Sequence, residues 1–324
     1  MNYSLTINGL DNAFPKEFGC GCPRCMRQER AANTSMSLIG TQANDTQTAF
    51  HALIDCGYGI SDSLAANPLL QGVRARLDWI LLTHWHSDHS NEMGRIGAGW
   101  MRTCARRGQS FERVRTWCRE GSAQWLAHEH GSAWRTFADP VIAPGFTDAG
   151  TPLAPVPLAQ SDLHITPITL HHSSADMAHN HVIQRRPSCA GFVIQTASRK
   201  AVLFWDMDNT NTWITQPHSD AHVAALQLAR DADVLCIDCN TWRYASSPAG
   251  KPASHASFHT QLPFVRALAP RETLLMHLSG HEDDRGDGFG WLDAEWQTHA
   301  QAAWHSHHMP GHVRVPAIGE RISL

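Results

Sequence analysis

The chain has 324 residues, a formal net charge of -4 and a hydrophobic fraction of 42%, enough for a substantial core in one large or two ordinary domains. It lacks the broad basic excess that a polymeric nucleic acid would require, and no apolar run approaches membrane-spanning length. Residues 1–7 alternate like a strand instead of following the basic-then-apolar layout of a signal peptide, so the expected setting is cytoplasmic, without a membrane or nucleic-acid partner and with homodimer formation left open.

After a first strand near residues 3–8, Phe18-Gly19-Cys20-Gly21-Cys22-Pro23-Arg24-Cys25 places three thiols within six residues, with glycines to relax the backbone. Such a set can wrap one tetrahedral Zn if a fourth ligand joins it. Without a secretory signal, a disulfide knot is not expected. Strands follow near 36–41, 49–54 and 78–83. The last contains Leu77-Asp78-Trp79-Ile80-Leu81-Leu82 and opens into Thr83-His84-Trp85-His86-Ser87-Asp88-His89, three imidazoles and a carboxylate within six residues. His84 and His86, two apart, can reach one metal ion while Asp88 and His89 turn towards a second. Imidazole and carboxylate suit Zn, Mn or Fe, and two ions suit metal-assisted hydrolysis.

From about 95 to 160 the chain carries Arg102, Arg106, Arg107, Arg113, Arg115 and Arg119 among Trp100, Trp117, Trp125 and Trp134. A charged, solvated helical face is expected there, with a lid over a pocket as the alternative. A strand near 163–170 leads into His171-His172-Ser173. Residues 175–188, with His179, His181, Arg185 and Arg186, read as an inserted loop. Strands near 190–196 and 200–205 follow, the second ending at Asp206 with Asp208 close behind. Beyond a helix near 219–231, a strand near 233–238 leads through Cys236 to Cys239, and residues three apart on a strand face opposite sides, which argues against a redox pair. A loop holding His255, with His259 nearby, precedes a helix near 259–268 and a strand near 273–277 that closes on His277. The amphipathic segment near 292–305 makes Trp291, Trp296 and Trp304 packing anchors, and His305, His307, His308 and His312 read as solvated.

The ordered H-x-H-x-D-H cluster resembles the signature of the metallo-β-lactamase-fold hydrolases, in which a third His, a bridging Asp and a last His each arrive later at a strand end. The resemblance implies an α/β fold, a four-layer αββα sandwich forming one domain over 1–324. It selects His172 over His171, Asp206 over Asp208, and His277. His84, His86 and His172 would then hold one ion, Asp88, His89 and His277 the other, with Asp206 shared. The C-x-C-x-x-C element, together with Leu275-Met276-His277-Leu278-Ser279-Gly280-His281, resembles the branch containing the phosphoribosyl cyclic phosphate phosphodiesterase of phosphonate catabolism. That likeness implies a structural Zn on Cys20, Cys22, Cys25 and His281, although this chain has one residue more between its two histidines than the family pattern. It also places a proton-donating His 22 residues before the last ligand, at His255, with His259 as competitor.

The implied activity is hydrolysis of a small phosphate ester, cyclic esters included, by water activated between two divalent ions, Mn or Zn with Fe as a third choice. Fold alone does not fix the reaction. A lactone, carboxylic ester or thioester hydrolase is the alternative on the same scaffold. A metal-stabilised binding or carrier protein is the alternative of another class, and retention of all the candidate active-site ligands weighs against it.

Overall fold

The computed structural model describes residues 1–42, 47–178, 185–243, 255–279 and 287–324. Two compact units emerge, one of Met1–Ala13, Ala31–Gly145 and Ala317–Leu324, the other of Phe14–Arg30 and Phe146–Pro316. Each is built on a sheet of its own.

In the first unit the strands are β1 (Asn2–Gly9), β2 (Ser35–Thr41), β3 (Thr48–Ile54), β4 (Trp79–Leu81), β5 (Val114–Arg119), β6 (Ala138–Ala143) and, from the chain's end, β15 (Arg321–Ser323). They lie in the order β15-β1-β2-β3-β4-β5-β6. Pairing is antiparallel from β15 to β3 and parallel from β3 to β6. Leu53, Ile80, Leu82, Val114 and Cys118 share a core with Ile96, Leu126 and Trp134 from the covering helices Met93–Arg106, Glu120–Glu129 and Gly131–Phe137. Fully burying one such large side chain stabilises by about 1.5–3 kcal/mol.

Residues 95–160 thus supply β5 and β6 to this sheet. Arg102 and Arg106 are exposed on a helix, as expected of a solvated face. Arg119 overturns that expectation: it closes β5 fully buried, with Nε and Nη2 donating to the Pro144 carbonyl at 3.4 and 3.3 Å. β5 is an interior strand paired in parallel with β4 and β6, and its last residue is enclosed where the chain beyond β6 passes at Pro144. Arg115, also on β5, holds its guanidinium carbon over the Trp79 ring, 4.3 Å from the centroid, where cation and π face attract.

His51 on β3 is a buried structural histidine. Its Nδ1 lies 2.6 Å from the Arg76 carbonyl and its Nε2 3.0 Å from Ser37 Oγ. Burial pushes its pKa down to about 4. An unfolded His titrates near 6.5, so between those two values the unfolded chain binds a proton that the folded chain refuses. Stability present above pH 6.5 is therefore lost as pH falls towards 4, by about 3 kcal/mol in all. In His51→Gln, which cannot titrate, urea unfolding followed over that window should show a slope flattened by this amount. Identical slopes in the two proteins would assign the acid sensitivity to other groups.

The second unit contains β7 (Leu163–Leu170), β8 (Met177–Ala178), β9 (Arg185–Arg186), β10 (Cys189–Thr196), β11 (Lys200–Phe204), β12 (Val234–Asp238), β13 (Glu272–Met276) and β14 (His312–Arg314). Its main sheet runs β14-β13-β12-β11-β10-β7, and β8 and β9 pair separately. Helices Asp220–Ala229 and Phe258–Leu268 start at Ser219 and Ser257, whose hydroxyls accept backbone N–H groups of the first turn. Trp296 and Trp304 are buried with Phe204, Phe258 and Leu275, as the periodicity of their segment requires, while half-buried Trp291 stacks on His299 at 4.0 Å. Cys236 and Cys239 are fully buried, and burial pushes both thiols well above their ordinary range, leaving no reactive thiolate. No described helix is long and apolar enough to cross a membrane.

Candidate metal centre

In the first unit β3 and β4 run parallel, with Ile54 opposite Leu81. Asp55 leaves β3 with φ 58°, a left-handed conformation that costs a non-glycine residue roughly 1–2 kcal/mol. Its carboxylate accepts from Thr83 N and Thr83 Oγ1, both at 2.8 Å, and from His89 Nδ1 at 2.7 Å. With the Thr83 hydroxyl hydrogen directed to Asp55, the remaining contact, His84 Nδ1 to Thr83 Oγ1 at 3.1 Å, has the imidazole as donor. Both rings are thereby held in the tautomer that reserves Nε2 for a metal.

The His84 ring centroid lies 4.4 Å from those of both His86 and His89, and His89 Nε2 is 3.1 Å from Asp88 Oδ2. One helical turn, Ser87–Ser90, follows His86 and carries Asp88 and His89. The backbone seats it against residues 55–57: Cys56 N donates to the His89 carbonyl at 2.8 Å, and a Cβ at Gly57 would fall 1.7 Å from the Asp88 carbonyl oxygen. Only glycine fits there.

In the second unit β11, β12 and β13 are parallel, β10 opposes β11, and β7 opposes β10. The carboxyl ends of β7, β11, β12 and β13 consequently share one edge, the side on which open α/β sheets gather ligands. His172 follows β7 by two residues, Asp206 follows β11 by two, Asp238 closes β12 and His277 follows β13. Asp206 and His277 adopt φ 54° and 56°, left-handed like Asp55, and strained backbone of this kind collects at working sites. His277 Nε2 lies 3.0 Å from Asp206 Oδ1, and His255 Nδ1 lies 2.9 Å from Asp238 Oδ2 and 3.4 Å from Asp206 Oδ1. The His255 ring is 4.9 Å from that of His277 and 4.7 Å from that of His172.

One donor atom from each of Asp206, Asp238, His255 and His277 lies within 4.8 Å of the others. Asp206 and Asp238 are 1% and 0% exposed. Burial works against a charged His277, yet Asp206 and Asp238 raise its pKa well above the usual imidazole value. Burial likewise works against a charged Asp238, and His255 and His277 hold its pKa low nonetheless. Two buried carboxylates that draw a proton onto His277 form a pocket that demands positive charge, which a divalent cation supplies. The donor chemistry fits one.

This geometry gathers His172, Asp206, His255 and His277 and leaves the competitors aside. His171 is 34% exposed and bonds to Asp176 at 3.1 Å. Asp208 accepts from Ser173 N and Thr210 N as a loop brace. His259 lies in a helix with its ring 4.9 Å from Trp242. Two participants escaped the sequence reading, Asp55 and Asp238. Each is an acid at the end of an apolar strand, the same signal that marks Asp206.

The sulfurs of Cys20, Cys22 and Cys25 also lie within 4.8 Å of one another. Cys25 N donates to Cys22 Sγ at 3.4 Å, and Glu17 N donates to Cys25 Sγ at 3.1 Å. Buried Arg24 anchors the turn through the Trp291 carbonyl and Asp293, both at 3.0 Å. The Cys22 N–H draws the Cys20 thiol down, whereas burial pushes Cys25 up to about 11, with the neighbouring thiols adding to the rise. Three adjacent sulfurs cannot all become thiolates without a cation among them, and Zn is the ion that tetrahedral thiolate sets favour. His281, the expected fourth ligand, lies outside the described residues, as do His179 and His181.

The family model described as the beta-lactamase superfamily domain matches residues 51–278. The chain belongs to that superfamily. The matched span holds both His/Asp clusters of this superfamily member and leaves the cysteine element outside. Among solved structures, the metallo-β-lactamase-fold protein YhfI of Bacillus subtilis is 16% identical, covers 100% of both chains and has a TM-score of 0.59. A diphosphatase from the PhnP family is 16% identical over 100% of this chain and 98% of its own, with a TM-score of 0.62. Zn-bound PqqB of Methylobacterium extorquens is 12% identical over 99% and 100%, with a TM-score of 0.66. At such identities the likeness is one of fold, and it agrees with the α/β class expected from the sequence. Comparison with curated proteins gives no match.

Proposed function

We propose that this superfamily member is a dinuclear metal-dependent phosphodiesterase acting on a small phosphate ester. The observation that carries the reading is His255, held at Nδ1 by Asp238 at 2.9 Å beside a set of metal-type donors. With Nδ1 engaged, Nε2 is the nitrogen available to pass a proton to a departing oxygen, which suits an ester whose leaving group would otherwise depart as an alkoxide. The ligand assignment is that of the resemblance: His84, His86 and His172 for one ion, Asp88, His89 and His277 for the other, Asp206 to both. Two divalent ions, Mn or Zn with Fe as a third choice, supply Lewis acidity and a nucleophile at neutral pH. Asp55 orients His89, and Asp238 orients His255 and His277. A structurally similar protein described as a PhnP-family diphosphatase supports phosphorus as the centre attacked, and a net charge of -4 supports a small substrate over a polyanion.

The test is a substrate panel with the metal-loaded protein: bis-para-nitrophenyl phosphate, a lactone and a thioester. Turnover should be greatest on the phosphodiester. Hydrolysis of the lactone or thioester with the diester untouched would move the activity to a carbonyl centre.

The cysteine element belongs to the same proposal as a structural Zn site completed by His281. Cys22→Ser should lower total Zn by one equivalent and Tm by roughly 3–5 °C, the shift that a loss of 2–3 kcal/mol gives in a chain of this length. An unchanged metal count would remove the site.

A further inference from the structure

Away from the metal-type donors, the first unit contains a cleft of about 390 Å³ between the helix Met93–Arg106 and the segment below it. That volume falls in the range of small-molecule sites. Its walls are largely apolar, with Leu64, Leu70, Leu77, Ile96 and Trp100, and its mouth carries Arg76, Arg95 and Arg106. Two of these cations are already answered: Arg76 Nε lies 2.8 and 2.7 Å from the two Asp78 oxygens, and Arg95 reaches Glu92 at 3.2 Å and Asp62 at 3.1 Å. Arg106 donates to Thr103 Oγ1 at 3.0 Å and pairs with no carboxylate among the described residues. One positive charge at the mouth is left uncompensated.

The walls are pinned open. Arg107 donates to the carbonyls of Ala75 and Gly72, tying the helix to the opposite wall, and His51 holds the Arg76 carbonyl from behind. The helix has three glycines, residues that weaken a helix interior. Two are explained by packing, since an added Cβ would lie 3.1 Å from Ala133 Cβ at Gly94 and 2.5 Å from Phe137 Cγ at Gly97. At Gly99 it would meet nothing within 4 Å, and Gly99 lines the cleft. In the same lining, the buried Ser61 Oγ has no hydrogen-bond partner. Packing asks for neither feature; an occupant would use both.

We propose that this cleft binds a monoanionic amphiphile, its flat apolar body against Trp100 and Ile96 and its carboxylate at Arg106. The inference is independent of the metal-centre reading. The probe is naphthalene-2-carboxylate, titrated calorimetrically into the metal-loaded full chain, with naphthalene-2-methanol as its uncharged counterpart. Gly99→Leu, which fills the cleft, should abolish binding of both without lowering Tm. Arg106→Gln should weaken the carboxylate about tenfold, the size of one charge-assisted hydrogen bond, and leave the alcohol unchanged. Absence of saturable naphthoate binding, binding that survives Gly99→Leu, or an Arg106→Gln effect equal on both probes would each overturn the proposal. The second of these outcomes would place the probe elsewhere, the metal centre included.

Discussion

Asp206→Ala should abolish turnover of bis-para-nitrophenyl phosphate and lower the content of active-site metal, with circular dichroism expected to show the protein still folded. The expectation follows from the position of Asp206 on the sheet edge. It is 1% exposed, takes left-handed backbone, and its Oδ1 lies 3.0 Å from His277 Nε2 and 3.4 Å from His255 Nδ1. Removing it strips the cluster of a carboxylate that no neighbour can replace, since Asp238 is already committed to His255 and His277. A loss of more than about 100-fold is therefore expected, beyond the 10–100-fold typical of groups that only orient a ligand. Asp208→Ala is the matched control. Its carboxylate braces Ser173 and Thr210, so the cost should appear in stability, about 1.5–3 kcal/mol per hydrogen bond to a charged group, with metal content retained. Full activity of Asp206→Ala with two ions bound would sink the assignment of a shared carboxylate.

The His84–His89 cluster was legible because a buried apolar strand stops where the donors begin, and a three-residue strand leaves little room for error in the register. The edge of the second sheet was legible for the same reason: apolar runs end in His172, Asp206 and His277. Asp55 and Asp238 end such runs too, but a single acid after a strand has many ordinary uses, and only the 2.7 Å and 2.9 Å contacts to His89 and His255 reveal these two as partners of imidazoles. β5 and β6 escaped notice for a different reason. Arg115 and Arg119 break the apolar run of β5, and the sequence does not show that Trp79 and the Pro144 carbonyl receive their guanidiniums. The helical face expected from the Arg series is the helix Met93–Arg106, but the sequence does not show that Gly94 and Gly97 within it serve packing against Ala133 and Phe137. In each case the information resides in a partner distant along the chain.

His255→Ala should leave both active-site ions in place and slow hydrolysis of an alkyl phosphodiester on the order of 10²–10⁴-fold, the contribution of a lost acid-base group. The para-nitrophenyl ester should lose far less, because its leaving group is stable as an anion. The structure adds a second arm to this test. His255 is 19% exposed, and its Nδ1 is fixed by fully buried Asp238, so Asp238→Asn should reproduce the same leaving-group dependence more weakly, by about 10–100-fold, through misorientation of the imidazole. His255 also stands close enough to Asp206 and His277 to be a ligand, and the metal count separates the two roles: loss of an ion in His255→Ala would make it one. Equal rate losses on both esters with the ions retained would assign His255 to substrate positioning. A large loss confined to the alkyl ester, shared in direction by Asp238→Asn, is the outcome that only proton donation to the departing oxygen produces.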